Sequence, residues 1–217
     1  AAGRFVRVMM SSAGYAPLQA GFGAPGDVYA VADYDKDGKT DPAVFNKATG
    51  VLTALFSGAG YAGQSWTFAT GADYGPVPTD FDGDGKADPA IYSPAAGLLR
   101  IKLSSAGYAD IPVTMGRTGA LFMPGDLDGD GKGDLTTYHE ATGKLYVKIS
   151  SGGYAELSLP FGGPGYNRVS AADYDGDGLL DPAVYGPAKG WYILFSGSGY
   201  APVTDTFGGT GAEAVGP

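Results

Sequence analysis

The sequence lacks cysteine altogether, and its 217 residues include only one histidine and three glutamates. The absence of cysteine excludes disulfides, thiolate chemistry and zinc–thiolate sites. The single histidine, His139, has no second histidine with which to form a base-and-orienter pair. No apolar run approaches the roughly 20 residues that a membrane-spanning helix requires. These absences favour a protein that has no membrane span and is not an enzyme.

Basic residues are scarce as well, since 14 lysines and arginines stand against 23 aspartates and glutamates. The resulting net charge of −9 argues against nucleic-acid binding, which needs basic patches. Sixteen of the 23 acidic residues are aspartates in four short loops, so the acidity is local. Glycine is abundant, with 38 residues, and recurs at regular intervals, which indicates many turns between short strands.

The four aspartate-rich loops are nine residues long, and their first residues are separated by 47, 46 and 47 positions. We number them loops 1 to 4 and their residues positions 1 to 9. Aspartate stands at positions 1, 3, 5 and 9 of each loop, and glycine stands at position 6. The loops are Asp33–Asp41 (DYDKDGKTD), Asp80–Asp88 (DFDGDGKAD), Asp126–Asp134 (DLDGDGKGD) and Asp173–Asp181 (DYDGDGLLD).

Each loop has the residue types of a calcium site. Aspartates at positions 1, 3 and 5 can direct three carboxylates at one centre, the glycine permits the sharp bend, and position 7 offers a backbone carbonyl. The closing residue is aspartate at position 9 rather than glutamate at position 12, and proline follows it in three loops, so the pattern is not that of an EF-hand helix pair. The predicted side-chain ligands are Asp33, Asp35, Asp37, Asp41, Asp80, Asp82, Asp84, Asp88, Asp126, Asp128, Asp130, Asp134, Asp173, Asp175, Asp177 and Asp181. The predicted carbonyl ligands are those of Lys39, Lys86, Lys132 and Leu179.

We therefore expect about four Ca²⁺ ions, one in each loop. Magnesium is disfavoured because its strict octahedral geometry suits waters and phosphates better than an all-protein cage. The alternative is a set of aspartate and glycine turns that are closed by side-chain hydrogen bonds without a metal.

Beyond the loops, the same landmarks recur in a repeat of roughly 47 residues. A short apolar run, a glycine, a second alternating run, a small-residue turn ending in tyrosine and two further runs follow in the same order. Four short antiparallel strands in a repeat of this length are typical of a β-propeller blade. The sequence thus predicts an all-β protein with a single domain over residues 1–217. Its repeat units are 33–79, 80–125, 126–172 and 173–217, with a partial unit at 1–32.

Both ends of the chain carry parts of a fifth repeat. The segment 1–26 aligns with the middle of a repeat, and segment 207–217 stops before the place of a fifth loop. The sequence predicts a propeller of five four-stranded antiparallel blades, the last blade being built from both termini. Two alternatives remain open: a fragment of a longer propeller, or a protomer whose incomplete blade is finished by a neighbour through strand addition.

Five tyrosines recur at the end of the small-residue turns. Repeated exposed aromatic rings can stack on sugar rings, which would give one weak ligand site per blade. The alternative is that each tyrosine packs at a blade edge and bonds a backbone group. These candidate ligand-binding residues are Tyr15, Tyr61, Tyr108, Tyr154 and Tyr200.

The loops, the D-P-A-V-Y type of run after them and the Phe-Gly-x-x-Gly turns (Phe22–Gly26 and Phe161–Gly165) resemble FG-GAP/VCBS repeats. Such repeats form integrin-α-like propellers and occur in many secreted bacterial proteins. The resemblance covers essentially the whole chain. It implies a β-propeller fold, Ca²⁺ in the inter-strand loop of each blade, and an extracellular recognition role.

The expected function is a non-catalytic, calcium-stabilised module, secreted or at the cell surface, that binds a glycan or an extracellular surface protein. The alternative expectation is a structural cell-surface protein that assembles into filaments through its incomplete blade.

Overall fold

Short strands and glycine-rich turns alternate along the chain, as the period-two patterns predict. The computed structural model describes residues 6–10, 16–20, 22–71 and 73–207. Near the N-terminus, β1 (Val6–Met10) and β2 (Ala16–Ala20) pair as an antiparallel two-stranded sheet. None of the helices among the described residues has the length and hydropathy needed to cross a membrane.

Four antiparallel four-stranded sheets follow, each made of strands consecutive in sequence. We name these sheets blades 1 to 4. Blade 1 contains β3 (Val28–Tyr29), β4 (Ala43–Asn46), β5 (Val51–Phe56) and β6 (Ala62–Thr67). Blade 2 contains β7 (Gly75–Pro76), β8 (Ala90–Ser93), β9 (Leu98–Lys102) and β10 (Asp110–Thr114).

The remaining two blades have the same order. Blade 3 contains β11 (Leu121–Met123), β12 (Leu135–His139), β13 (Lys144–Lys148) and β14 (Glu156–Pro160). Blade 4 contains β15 (Arg168–Ala172), β16 (Asp181–Gly186), β17 (Gly190–Phe195) and β18 (Ala201–Asp205). The four blades form a ring, so the β-propeller prediction is confirmed.

The first strand of each blade faces the centre of the ring. There β3, β7 and β15 contribute Tyr29, Pro76 and Ser170 to the lining of a central cavity of about 690 Å³, and Pro124, directly after β11, also lines it. Each aspartate loop connects the first and second strands of its blade. Because every loop occupies the same hairpin, all four lie at the same end of the ring.

The core lies between the blades rather than within one sheet. One cluster joins blades 1 and 2 through Leu52, Trp66 and Ile91, and a second joins blades 3 and 4 through Leu145 and Val184. A third cluster joins blades 2 and 3. Burying each large apolar side chain contributes about 1.5–3 kcal/mol. A blade therefore depends on its neighbour for much of its stability.

Blade 4 carries an aromatic face that the equivalent blades bury. Phe68 and Phe161, which follow the fourth strands of blades 1 and 3, are 5% and 1% exposed, whereas Phe207 is 79% exposed. Tyr34 at position 2 of loop 1 is 1% exposed, and its counterpart Tyr174 is 40% exposed. We name Tyr174, Trp191 and Phe207 the open face of blade 4.

A fifth blade would pack against the open face in a continuing ring. Of the segments predicted to build it, residues 1–5, 11–15, 21 and 208–217 lie outside the described residues. The β1–β2 sheet supplies two antiparallel strands where the repeat predicts the third and fourth strands of that blade. The fifth blade stays a prediction.

Candidate metal centres in the aspartate loops

The aspartate at position 9 closes each loop from inside the protein. Asp41, Asp88, Asp134 and Asp181 are all 0% exposed. In loop 1, Asp41 Oδ2 accepts the backbone N–H of Tyr34 at 3.0 Å, and Asp41 Oδ1 accepts that of Ser57 at 2.7 Å. The same two bonds recur in the other three loops. This residue thus joins the loop to the turn between the third and fourth strands of its blade.

The aspartate at position 1 shapes the bend of each loop. In loop 2, Asp80 Oδ1 and Oδ2 accept the N–H groups of Gly83 and Gly85, both at 2.7 Å. These two residues have φ of +81° and +87°, which glycine adopts without steric cost. Loop 1 differs because Lys36 takes the first of these places with φ of +66°. Its Nζ donates to the carbonyl oxygen of Asp84 in loop 2 at 2.5 Å, so this residue crosses to the next blade.

The aspartates at positions 3 and 5 contact a turn that we name the serine turn, residues 57–60, 104–107, 150–153 and 196–199. In loop 2, Asp84 Oδ2 accepts the hydroxyl of Ser104 at 2.6 Å, and Asp82 Oδ2 accepts that of Ser105 at 2.6 Å. The first serine of the turn makes the equivalent bond to position 5 in the other three blades. These serines are Ser57, Ser150 and Ser196.

Sequence reasoning missed the serine turn as part of the site. The loop and its turn are about 20 residues apart, and only the pairing of the second and third strands brings them together. A usable signal was present, since a serine begins the small-residue turn in every repeat.

Carboxylate oxygens converge in every loop. In each one, three aspartates each offer an oxygen within 4.8 Å of the other two. In loop 1 the triad is formed by positions 1, 3 and 5, and in loops 2 to 4 it is formed by positions 1, 3 and 9. The triads are Asp33, Asp35 and Asp37; Asp80, Asp82 and Asp88; Asp126, Asp128 and Asp134; and Asp173, Asp175 and Asp181.

The donor set of the triads is made of oxygen atoms only, which is the preference of hard cations such as Ca²⁺. The hydrogen bonds to the same carboxylates do not exclude a metal, because each carboxylate has about four lone-pair sites. Four sites in the ring can therefore hold a metal ion. At position 7, the described bonds involve the N–H groups of Lys39, Lys86, Lys132 and Leu179, which donate to position 5, so their roles as carbonyl ligands stay predictions.

The electrostatics of position 9 differ among the loops. Burial raises the pKa of Asp88 to about 6, against hydrogen bonds from Ser104 and Phe81 that lower it, and nearby Asp82 adds to the rise. Burial likewise raises the pKa of Asp41 and Asp134. Burial alone would also raise the pKa of Asp181. Hydrogen bonds from Ser196, Tyr174 and Asp175 outweigh this effect, so the pKa of Asp181 is lowered. In loop 2, a bound dication would offset both the burial and the like charge.

Neighbouring loops are hydrogen-bonded to each other. The carbonyl oxygen of Asp33 accepts the N–H of Ala87 at 2.7 Å, and that of Asp80 accepts the N–H of Gly133 at 2.5 Å. Position 1 of one loop thus contacts position 8 of the next. These bonds join loop 1 to loop 2 and loop 2 to loop 3.

The recurrent tyrosines lie between the loops. Tyr61, Tyr108, Tyr154 and Tyr200 all have φ between +61° and +65°. The ring of Tyr108 lies 5.4 Å from that of Trp66 in the preceding blade, and Tyr200 Oη donates to the carbonyl oxygen of Leu127 at 3.2 Å.

These contacts of Tyr108 and Tyr200 agree with packing at a blade edge, while Tyr154 and Tyr200 remain 41% and 39% exposed. Burial, followed by nearby loop aspartates, raises the pKa of Tyr108, Tyr154 and Tyr200. Tyr15 lies outside the described residues.

His139 lies at the end of β12, away from the loops. Its Nδ1 is 3.0 Å from Thr142 Oγ1 in the turn that follows the strand. This contact places the ring within its own turn, as expected of a partly solvated turn residue.

Comparison with solved structures supports the fold. The chain superimposes on virginiamycin B lyase from Staphylococcus aureus with a TM-score of 0.61 at 9% identity. It superimposes equally on a streptogramin B lyase, with a TM-score of 0.61 at 8% identity. The matches cover 95% and 94% of this chain but only 64% and 63% of the lyases. Identity this low shows the propeller architecture alone. No protein-family model and no curated protein matches the sequence.

Proposed function

We propose that this protein is a non-catalytic extracellular recognition module whose propeller is stabilised by Ca²⁺ in the four aspartate loops. The observation that carries the proposal is the convergence of three carboxylates at the same place in four blades. A single acidic turn can be closed by its own hydrogen bonds. The four loops together place 16 carboxylates at one end of the ring, where like charges repel unless cations neutralise them.

Calcium titration tests the metal sites directly. Isothermal titration of the metal-free chain with CaCl2 should give a stoichiometry of about four. Asp82→Asn and Asp128→Asn should each remove one site, because each takes a charge from one triad. The matched control is Asp205→Asn, which lies outside the loops and keeps the oxygen that accepts the Phe207 N–H. Equal stoichiometry for all four proteins would contradict the assignment.

The recognition role rests on the exposed aromatic rings beside the loops. Tyr154 and Tyr200 are partly exposed next to aspartates that would hold Ca²⁺, so a glycan stacked on them would sense whether the loops are ordered. A glycan array probed with and without chelator should show binding in calcium only. Absence of binding at millimolar glycan would contradict the carbohydrate proposal and leave a surface protein as the partner.

The open face of blade 4 favours a second candidate function, self-assembly. Phe207 and Tyr174 are exposed where the equivalent residues of other blades are covered, and contiguous exposed aromatic surface marks interaction sites. A second copy that pairs with this face would join chains into an assembly. Light scattering over a concentration series should show association that Phe207→Ser weakens and the control Ile111→Ser, on the outer strand of blade 2, does not. A uniform monomer at every concentration would contradict self-assembly.

A further inference from the structure

An apolar cleft lies between blades 3 and 4, beside loop 3. It has a volume of about 290 Å³, and its walls include Leu127, Val147, Ile149, Leu159 and Tyr200. At its mouth Leu157 is 62% exposed, so the cleft is open to solvent.

The equivalent space between blades 1 and 2 is filled by an indole ring. Trp66 pairs with Leu52 there, and Leu159 pairs with Leu145 in blade 3, so Trp66 and Leu159 hold the same place in their blades. Trp66 is 5% exposed. Its ring lies 5.4 Å from that of Tyr34 and 6.2 Å from that of Phe56, in addition to its contact with Tyr108.

Three aromatic side chains at the interface of blades 1 and 2 have aliphatic counterparts at the interface of blades 3 and 4. Leu127 replaces Tyr34, Ile149 replaces Phe56 and Leu159 replaces Trp66, while the tyrosine of the following blade is retained as Tyr200. The backbone spacing between blades is set by the repeat, so smaller side chains leave room. The cleft is therefore the space that an indole occupies elsewhere in the same ring.

We propose that this cleft binds a small, planar, neutral aromatic molecule of about the size of indole. An apolar cavity of about 150 Å³ is large enough to bind benzene, so 290 Å³ accommodates a bicyclic ring. Tyr200 supplies a rigid aromatic wall, because its hydroxyl is tied to the carbonyl oxygen of Leu127. Asp128 is the one charged residue of the lining, which disfavours an anionic ligand and suits one with an N–H donor. The cleft borders the candidate metal centre of loop 3 through Asp128 and shares Tyr200 with the glycan proposal, but its apolar walls belong to neither site.

Titration with indole itself tests the proposal. Isothermal titration or ligand-observed NMR on the full chain should show saturable binding with a stoichiometry of one. Leu159→Trp places an indole of the protein in the cleft, as Trp66 does in blade 1, and should weaken binding at least tenfold. Ile111→Trp adds the same ring at an exposed place on blade 2 and should leave the affinity unchanged.

A second variant keeps the test decisive if Leu159→Trp fails to fold. Leu157→Trp places a larger ring at the exposed mouth of the cleft, where it obstructs entry without crowding the core. This variant should also bind indole more weakly. Absence of saturable binding up to millimolar indole would overturn the proposal. Unchanged affinity in a folded Leu159→Trp or Leu157→Trp protein would overturn it as well.

Discussion

Asp88 should make the metal-free protein less stable as the pH rises. Its side chain is fully buried among Phe81 and the serine turn, and burial raises its pKa from 3.8 to about 6. A carboxyl group whose pKa is raised by folding binds its proton more tightly in the folded state. Its stabilising contribution is present below the unfolded pKa and is lost as the pH rises through the folded pKa.

The magnitude follows from the size of the pKa rise. At about 1.4 kcal/mol per pKa unit, a rise from 3.8 to about 6 lowers the free energy of unfolding by about 3 kcal/mol once Asp88 is ionised. Asp88→Asn cannot ionise, although it loses one of the two backbone hydrogen bonds. In excess EDTA, the free energy of unfolding of wild type relative to Asp88→Asn should therefore fall by about 2.4 kcal/mol between pH 4 and pH 7, because more than half of the unfolded chains are already ionised at this position at pH 4.

Urea unfolding at a series of pH values measures this difference. Asp181→Asn is the matched control, because Asp181 holds the same loop position but has a lowered pKa. Its contribution is present above the unfolded pKa and lost as the pH falls, so its pH dependence has the opposite sign. Saturating Ca²⁺ should suppress the Asp88 effect by favouring the ionised carboxylate. A difference between wild type and Asp88→Asn that does not vary with pH would refute the reasoning.

Three further changes separate packing from loop chemistry, each measured by urea unfolding. Gly190→Ala should lower the free energy of unfolding by more than 2 kcal/mol, because the added Cβ would lie 2.0 Å from the Asp205 carbonyl oxygen. Gly153→Ala has a similar φ and open space around the Cβ, so it should lower the free energy of unfolding by about 1 kcal/mol. Equal losses for the two variants would argue against the close approach. Trp66→Leu should lower the free energy of unfolding by about 3 kcal/mol. It should also open a second indole-sized cleft, detected as a second bound indole. An unchanged indole stoichiometry would contradict the comparison of the two interfaces. Ser104→Ala should cost about 1 kcal/mol by removing one hydroxyl donor, and no loss would show that the bond is exchanged for water at no cost.

The repeat architecture could be predicted from the sequence because each loop marks the same hairpin. The spacing of Asp33, Asp80, Asp126 and Asp173 placed four blades, and the run after each loop predicted the second strand of its blade. The role of position 9 was only half predicted. Asp88, Asp134 and Asp181 offer oxygens to the triads of loops 2 to 4. In all four loops the position 9 aspartate also ties the loop to the serine turn, which no local pattern indicates.

The interfaces between blades could not be predicted in the same way. The exchange of Trp66 for Leu159 is a change of side-chain volume at one strand position. The exchange indicates a cleft only when the structure shows that Tyr108 and Tyr200 each lie against the preceding blade. Contacts across blades depend on the twist and spacing of whole sheets, so they follow from the fold and not from the local sequence.

Scanning calorimetry of the full chain, in excess EDTA and in millimolar CaCl2, tests the central claim most directly. Ligand that binds only the folded state stabilises it by about 2.7 kcal/mol per site at 100 times the Kd. With four loops that hold Ca²⁺, the melting temperature in calcium should exceed that in EDTA by many degrees. An identical melting temperature in the two solutions would contradict calcium stabilisation of the propeller.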